Sequence, residues 1–232
     1  MKDAVLGADW AQTFAVVARV AEVGADDRPD DGRLAVFLVD RADTTVTRDM
    51  MLDPGLGLAD VTFAGAPATV LVEPGPATDG ALVEVTEQAA VAMALHIVGA
   101  CRRIFDVTLE YAKIREQYDR LIGSFQALKH RFADMYLAVE RANAVGYYAA
   151  LAIAEDDPAR ADAVHVAKAA AGDCQRLVVQ DGLQLHGGIG FTWENDLHFL
   201  LKRAKSGDVL CGSRSFHRAK LARLLGLVEV AA

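Results

Sequence analysis

Between Ala11 and Phe63 the chain breaks into short apolar runs, AQTFAVVARV, RLAVFLVD, TTVTRDMML and LADVTFAG, parted by DDRPDDG, RAD and DPGLG. Runs of this length, rich in Val, Thr and Phe and bounded by Gly, Pro and Asp, predict strands that pair antiparallel. Ala68 to Val72 adds one more such run, and the stretch EPGPATDG behind it predicts the edge of the sheet. The domain border is therefore expected near Pro76 to Gly80.

After Gly80 the hydrophobic period lengthens to that of helices. They are expected over about 82–115, 124–154, 159–182 and 194–226, the last broken near Gly207 or Gly212. Ile104, Val107, Tyr111 and Ile114 close the first of these, and Phe125, Leu128, Phe132 and Tyr136 open the second, with Ser124 as its expected N-cap. Asp156, Asp157 and Pro158 predict a cap and a first-turn proline for the third. Four long helices joined by short connections predict an antiparallel bundle. The expected fold is thus α+β: a partial antiparallel β-domain over about 1–78, then a C-terminal four-helix bundle over 79–232.

A chain of 232 residues with 53% hydrophobic content can bury one good core or two unequal ones. Its net charge of −8 argues against a general nucleic-acid or anionic-membrane surface, while leaving room for a local basic pocket. A positively charged leader and an uninterrupted apolar stretch of about 18 residues are both missing, so a cytoplasmic chain without membrane contact is expected. Cys101, Cys174 and Cys211 share no CxxC spacing, which predicts reduced thiols and no metal.

Two stretches carry candidate chemistry. Arg115 and Gln126 flank the first helix connection, where a guanidinium and an amide can reach a ligand lying across the corner. Residues 184–190, QLHGGIG, place paired glycines at a helix end, where backbone N–H groups can approach a ligand closely.

The run EYAKIREQYDRLIGSFQALKHRFADMY resembles the start of the C-terminal helical domain of the acyl-CoA dehydrogenase family, whose usual form is close to YAxxRxQFGxPIxxFQAxxHxxADM. The resemblance extends from about Ala4 to Gly226. It implies that Arg115 and Gln126 hold the FAD of a neighbouring subunit. The family's Phe-Gly pair reads Tyr118-Asp119 here, which keeps an aromatic face but puts a carboxylate where glycine is usual. QLHGGIG matches the family's QxxGGxG, and through it Gln184, Gly187 and Gly188 are implied contacts to the FAD pyrophosphate. Ser213, in the segment matching the family's YEGT-like motif, joins them as a cofactor contact. The continuation GFTWENDLHFLLKRAK fits a subgroup in which a Trp-Glu follows the glycines, and Glu194 also reads simply as a helix-start carboxylate.

The chain also departs from the family's pattern. Its first residues resemble the interior of the family's middle β-domain, so the N-terminal helical domain and the opening strands are missing. An incomplete sheet with exposed edges is expected, together with a partner chain or a longer parent gene. The two usual places for the catalytic glutamate fall on Cys211 and Ala89. His96 lies seven residues after Ala89, on the same helix face, and is the remaining weak candidate, whereas Glu87 points elsewhere. The resemblance therefore implies a subunit of an acyl-CoA dehydrogenase-like flavoenzyme, homo- or hetero-oligomeric, acting on an acyl-CoA and lacking its own base. A flavin-free structural relative is the alternative, and a flavin-containing relative with a nucleic-acid role is disfavoured by the acidic composition.

Overall fold

The computed structural model describes residues 1–20, 33–48 and 51–228. The loop DDRPDDG and the Asp49-Met50 pair of the third apolar run lie outside the described residues. The chain divides into two compact units, Met1–Val85 and Thr86–Ala232.

Among the described residues of the first unit, six short strands form two antiparallel three-stranded sheets: β1 (Lys2–Val5), β5 (Ala59–Thr62) and β4 (Thr45–Arg48) in one, β2 (Thr13–Arg19), β3 (Leu34–Asp40) and β6 (Thr69–Val72) in the other. The β2–β3 register sets Phe14 against Val39, and the buried core gathers Ala8, Phe14, Ala59 and Val61 with Val16, Val46 and Phe63 around it. Phe14 and Phe63 meet edge to face at 6.1 Å, a preferred aromatic geometry. The DPGLG turn is fixed by Asp53, whose Oδ1 accepts from Gly55 N, and by Gly57 at φ 56. A Cβ at Gly57 would stand 2.3 Å from the Trp10 ring, so only glycine fits. Strand β6 is exposed along its whole length, with Val70, Leu71 and Val72 open to solvent.

Helix α1, Pro76–Ile114, runs through the border between the units. It begins earlier than predicted because EPGPATDG supplies its first turn instead of a linker: Pro76 sits at the first helical position, where its missing N–H is no loss. The Thr78 hydroxyl donates to Glu73 O at 2.5 Å and anchors that turn. Helix α1 is long and apolar enough by length and composition to cross a membrane. Of its most apolar stretch, 28% is buried.

The second unit packs α1 with α2 (Gln126–Ala154), α3 (Arg160–His186), α4 (Leu197–Val209) and α5 (Arg214–Leu224). Its core is built from small and branched residues at helical spacing: Ala94, Ile97, Cys101 and Ile104 on α1, Met135, Val139 and Ala142 on α2, Val164, Ala171, Cys174 and Val178 on α3. Glycines let the helices approach: a Cβ at Gly182 would lie 2.6 Å from Ile104, and one at Gly207 2.7 Å from Ile97. That packing explains why Gly207 does not break the last helix. The break falls at Leu210–Ser213, where Cys211 and Gly212 have φ of 56° and 90°.

Other helix ends also differ from the sequence reading. Ser124 is not the N-cap of α2: it ends a 3-10 turn, Ile122–Ser124, and its hydroxyl donates to Leu121 O. Helix α3 continues past residue 182 to His186, and α4 starts at Leu197, its N–H accepted by Asn195 Oδ1 at 2.9 Å. The cap and first-turn proline expected of Asp156, Asp157 and Pro158 do not form: the N-cap of α3 is Ala159, without a side-chain hydrogen bond to the helix, Pro158 precedes it, and Asp157 Oδ1 accepts from Ala159 N at 2.7 Å.

Candidate cofactor cleft

The connection between α1 and α2 is a miniature hairpin, β7 (Glu116–Gln117) and β8 (Arg120–Leu121), closed by Ile122 N donating to Arg115 O at 2.8 Å. Tyr118 and Asp119 form its tip with φ of 55° and 61°. Both central residues of a tight hairpin turn need this left-handed conformation, which glycine adopts freely and aspartate tolerates better than most residues. Asp119 thus keeps the backbone path that glycine usually provides, at the expense of adding a carboxylate. Gly123 is held for a different reason, since a Cβ there would meet Ala112 O at 2.8 Å.

This hairpin faces the end of α3 across a cleft of about 630 Å³. Arg115, Gln117, Tyr118, Ile122, Phe125 and Arg131 line one side, and Gln184, Leu185, His186, Gly187 and Gly188 the other. Tyr118 is 88% exposed and stands edge-on to Phe125. Gly187 ends α3 at φ 62, and Cβ atoms built on Gly187 and Gly188 would project into open space. Helix α2 opens beside the cleft at Phe125 with no side-chain cap, so its first N–H groups have no local side-chain acceptor. A guanidinium, two glycine peptides and a helix N-terminus converging on one cavity favour an anion such as a pyrophosphate. The donor set therefore fits the FAD implied by the sequence.

Among the lining residues that sequence reasoning did not single out are Arg131, Tyr111 and His186. Arg131 pairs with Asp181 at 3.1 Å. Tyr111 and His186 stack with ring centroids 4.6 Å apart and planes 15° from parallel. His186 Nδ1 donates to Gly182 O at 2.8 Å, and burial lowers the imidazole pKa, an effect that this hydrogen bond partly opposes.

Not all expected contacts reach the cleft. Gln126 is exposed and stands between the lining residues Phe125 and Ala127 without lining it. Ser213 is the N-cap of α5, its Oγ accepting from Phe216 N at 3.3 Å. Ala89 and His96 are exposed positions of α1. Glu87 is tied to Arg160 at 3.1 Å. Glu194 precedes α4, and its carboxyl is held below the usual range by the Thr192 hydroxyl.

Cys211 lies at the α4–α5 corner, which is gripped from α3. Lys168, fully buried, donates to Gly207 O, Asp208 O and Gly212 O at 3.1, 3.0 and 2.7 Å. His217 Nε2 donates to Cys211 O at 2.8 Å, which leaves His217 Nδ1 to accept from His165 Nδ1 at 2.8 Å. Burial lowers the pKa of all three groups. Among the described residues no group of three or more His, Cys, Asp or Glu is placed to hold a metal.

Residues 81–226 match the family described as "Acyl-CoA dehydrogenase, C-terminal domain". The chain belongs to the acyl-CoA dehydrogenase family. It is 43% identical over 129 residues to the acyl-CoA dehydrogenase IpdE2 of Mycobacterium tuberculosis, an overlap covering 56% of this chain and 39% of that protein. The ChsE4-ChsE5 complex from Mycobacterium tuberculosis superposes with a TM-score of 0.83 at 27% identity, over 99% of this chain and 59% of the other. Butyryl-CoA dehydrogenase from Megasphaera elsdenii shares the fold, with a TM-score of 0.85 at 19% identity over 97% and 58%. In each case the chain spans less than two thirds of its relative. The corner at Cys211 presents a thiol at that position, and the nearby Asp208 carboxylate accepts from Arg214 N and Gln175 Nε2.

Proposed function

We propose that the chain is a subunit of an acyl-CoA dehydrogenase-like flavoenzyme, contributing to an oligomer the half of an FAD site that is completed by another subunit. The observation carrying this reading is the cleft itself, which draws Arg115, Tyr118, Gln184, Gly187 and Gly188 together from two distant segments. FAD, when bound, supplies the hydride acceptor for α,β-dehydrogenation of a CoA thioester. This chain's part would be to hold its phosphates: the planar guanidinium fork of Arg115 would pair with oxygens, the glycine peptides would approach them without a Cβ in the way, and the α2 N-terminus would add a favourable field. The proton-abstracting carboxylate comes from the partner, because Ala89 has no ionisable group, Glu87 is ion-paired and Cys211 carries a thiol. Exposed Tyr136, Leu137, Tyr147, Tyr148 and Leu151 on α2, and the open edge β6, support a protein neighbour that covers them.

The test is flavin retention by the assembled protein. Arg115→Ala should fold and assemble normally yet release FAD on dilution, whereas full occupancy at low flavin concentration refutes the assignment. Asp119, a carboxylate at the hairpin tip beside the cleft, favours a second reading as a flavin-free oligomerisation module. Absence of flavin absorbance after purification with the partner would select it.

A further inference from the structure

We propose that His186 is a neutral hydrogen-bond acceptor in the flavin cleft, its Nε2 taking a hydrogen from a sugar hydroxyl or from the adenine amine beside the pyrophosphate. The inference rests on the proposed flavin site and assigns a specific recognition role within it.

Three observations carry it. The first is the tautomer: a carbonyl only accepts, so the 2.8 Å contact from His186 Nδ1 to Gly182 O puts the ring hydrogen on Nδ1 and leaves a lone pair on Nε2. Orientation is fixed as well, because the ring stacks on Tyr111 and is only 6% exposed. Finally, Nε2 is open. Among the described residues the sealed, unpartnered ring nitrogens are those of His198, while His186 lines the cleft and its Nε2 has no protein partner there. Around it the cleft is rich in donors: Arg115, Arg131 and the glycine peptides. The guanidinium and peptide N–H groups suit phosphate oxygens, whereas a ligand hydrogen needs an acceptor, and His186 lines the cleft with a ring whose tautomer and orientation are fixed. An acceptor set among donors recognises a molecule that carries both, as a nucleotide does, and discriminates against a bare phosphate or carboxylate. Burial lowers the imidazole pKa, which keeps the acceptor form populated near neutral pH.

The experiment is FAD titration of the flavin-depleted complex, followed by flavin fluorescence, with wild type, His186→Phe, His186→Gln and Arg115→Ala. His186→Phe keeps a ring to stack on Tyr111 and should weaken FAD roughly tenfold, the scale of one hydrogen bond to a group otherwise left unpaired. His186→Gln, with an amide oxygen to accept, should stay within a few-fold of wild type. Burial lowers the His186 pKa from the ordinary histidine value of about 6.5, so wild-type affinity should be flat above that value and fall as the pH drops below it, and His186→Phe should lose the dependence. An affinity that rises in acid would make His186 a cation for phosphate and overturn the proposal, as would unchanged binding in His186→Phe. If Arg115→Ala weakens FAD while His186→Phe does not, only this inference fails; if neither does, the flavin cleft itself is wrong. With hypoxanthine in place of adenine, a wild-type loss matching that of His186→Phe puts the donor on the adenine amine, and retained affinity puts it on a sugar hydroxyl.

Discussion

Glu87 on α1 and Arg160 at the start of α3 close a salt bridge at 3.1 Å, and this pairing commits the carboxylate two residues from Ala89 to holding helices together. Glu87→Gln should leave turnover of the assembled enzyme within a few-fold of wild type. Its cost should appear in chemical denaturation, at about 1 kcal/mol for a partly exposed pair. Loss of turnover with stability intact would return Glu87 to the list of bases.

Neither His96 nor Cys211 is expected to carry the chemistry. His96→Ala and Cys211→Ala should keep turnover of the complex within a few-fold, whereas a lost general base costs about 100-fold or more. Steady-state kinetics at matched flavin content decide the matter.

Lys168 is a structural pin. Replacing it with methionine leaves three carbonyls at the α4–α5 corner without their donor, and the expected loss is about 3 kcal/mol or more. Lys168→Arg should not rescue it, because a planar fork cannot reproduce the three directions an ammonium offers. Urea unfolding of both variants gives the answer, with faster amide exchange at 207–213 as the local signature.

His165, His186 and His217 all have pKa values lowered by burial. The unfolded chain therefore binds more protons than the folded one once the pH drops below the ordinary histidine value of about 6.5. Stability should be flat above that value and decline as the pH falls toward the depressed folded pKa values. Urea midpoints at pH 7.5 and 5.5 test this, and His165→Asn together with His217→Asn should shrink the difference. A midpoint that rises in acid would mean that these imidazoles are charged in the fold.

Much of the architecture was legible: strands β2 to β6 fall in short runs rich in β-forming residues between Gly, Pro and Asp, and the helices follow 3.6-residue spacing. The misreadings were local. Strand β1, KDAV, is too short and too polar to announce itself, and becomes a strand only by pairing with β5. Ser124 looked like a cap because serine favours that position, but a 3-10 turn ahead of α2 used its hydroxyl elsewhere. Arg115 and the glycines of QLHGGIG were readable from the wording of their motifs. Tyr111 and Arg131 were not, since each lies on a regular helical face and gains its place only when the end of α3 arrives opposite. His186 had one available signal, an imidazole four residues after Gly182 and directly before the paired glycines.

The bare N-terminus of α2 couples two properties that are usually separate. Phe125 offers no side-chain oxygen to the first turn, so an anion bound in the cleft, as proposed, would serve as the missing cap. Occupancy of the cleft and order of the helix end then become linked quantities: whatever free energy the ligand gains from those N–H groups is returned as resistance of the α1–α2 corner to fraying. On that proposal, a protein that has lost its ligand would be loosened first at the very place where the ligand must rebind.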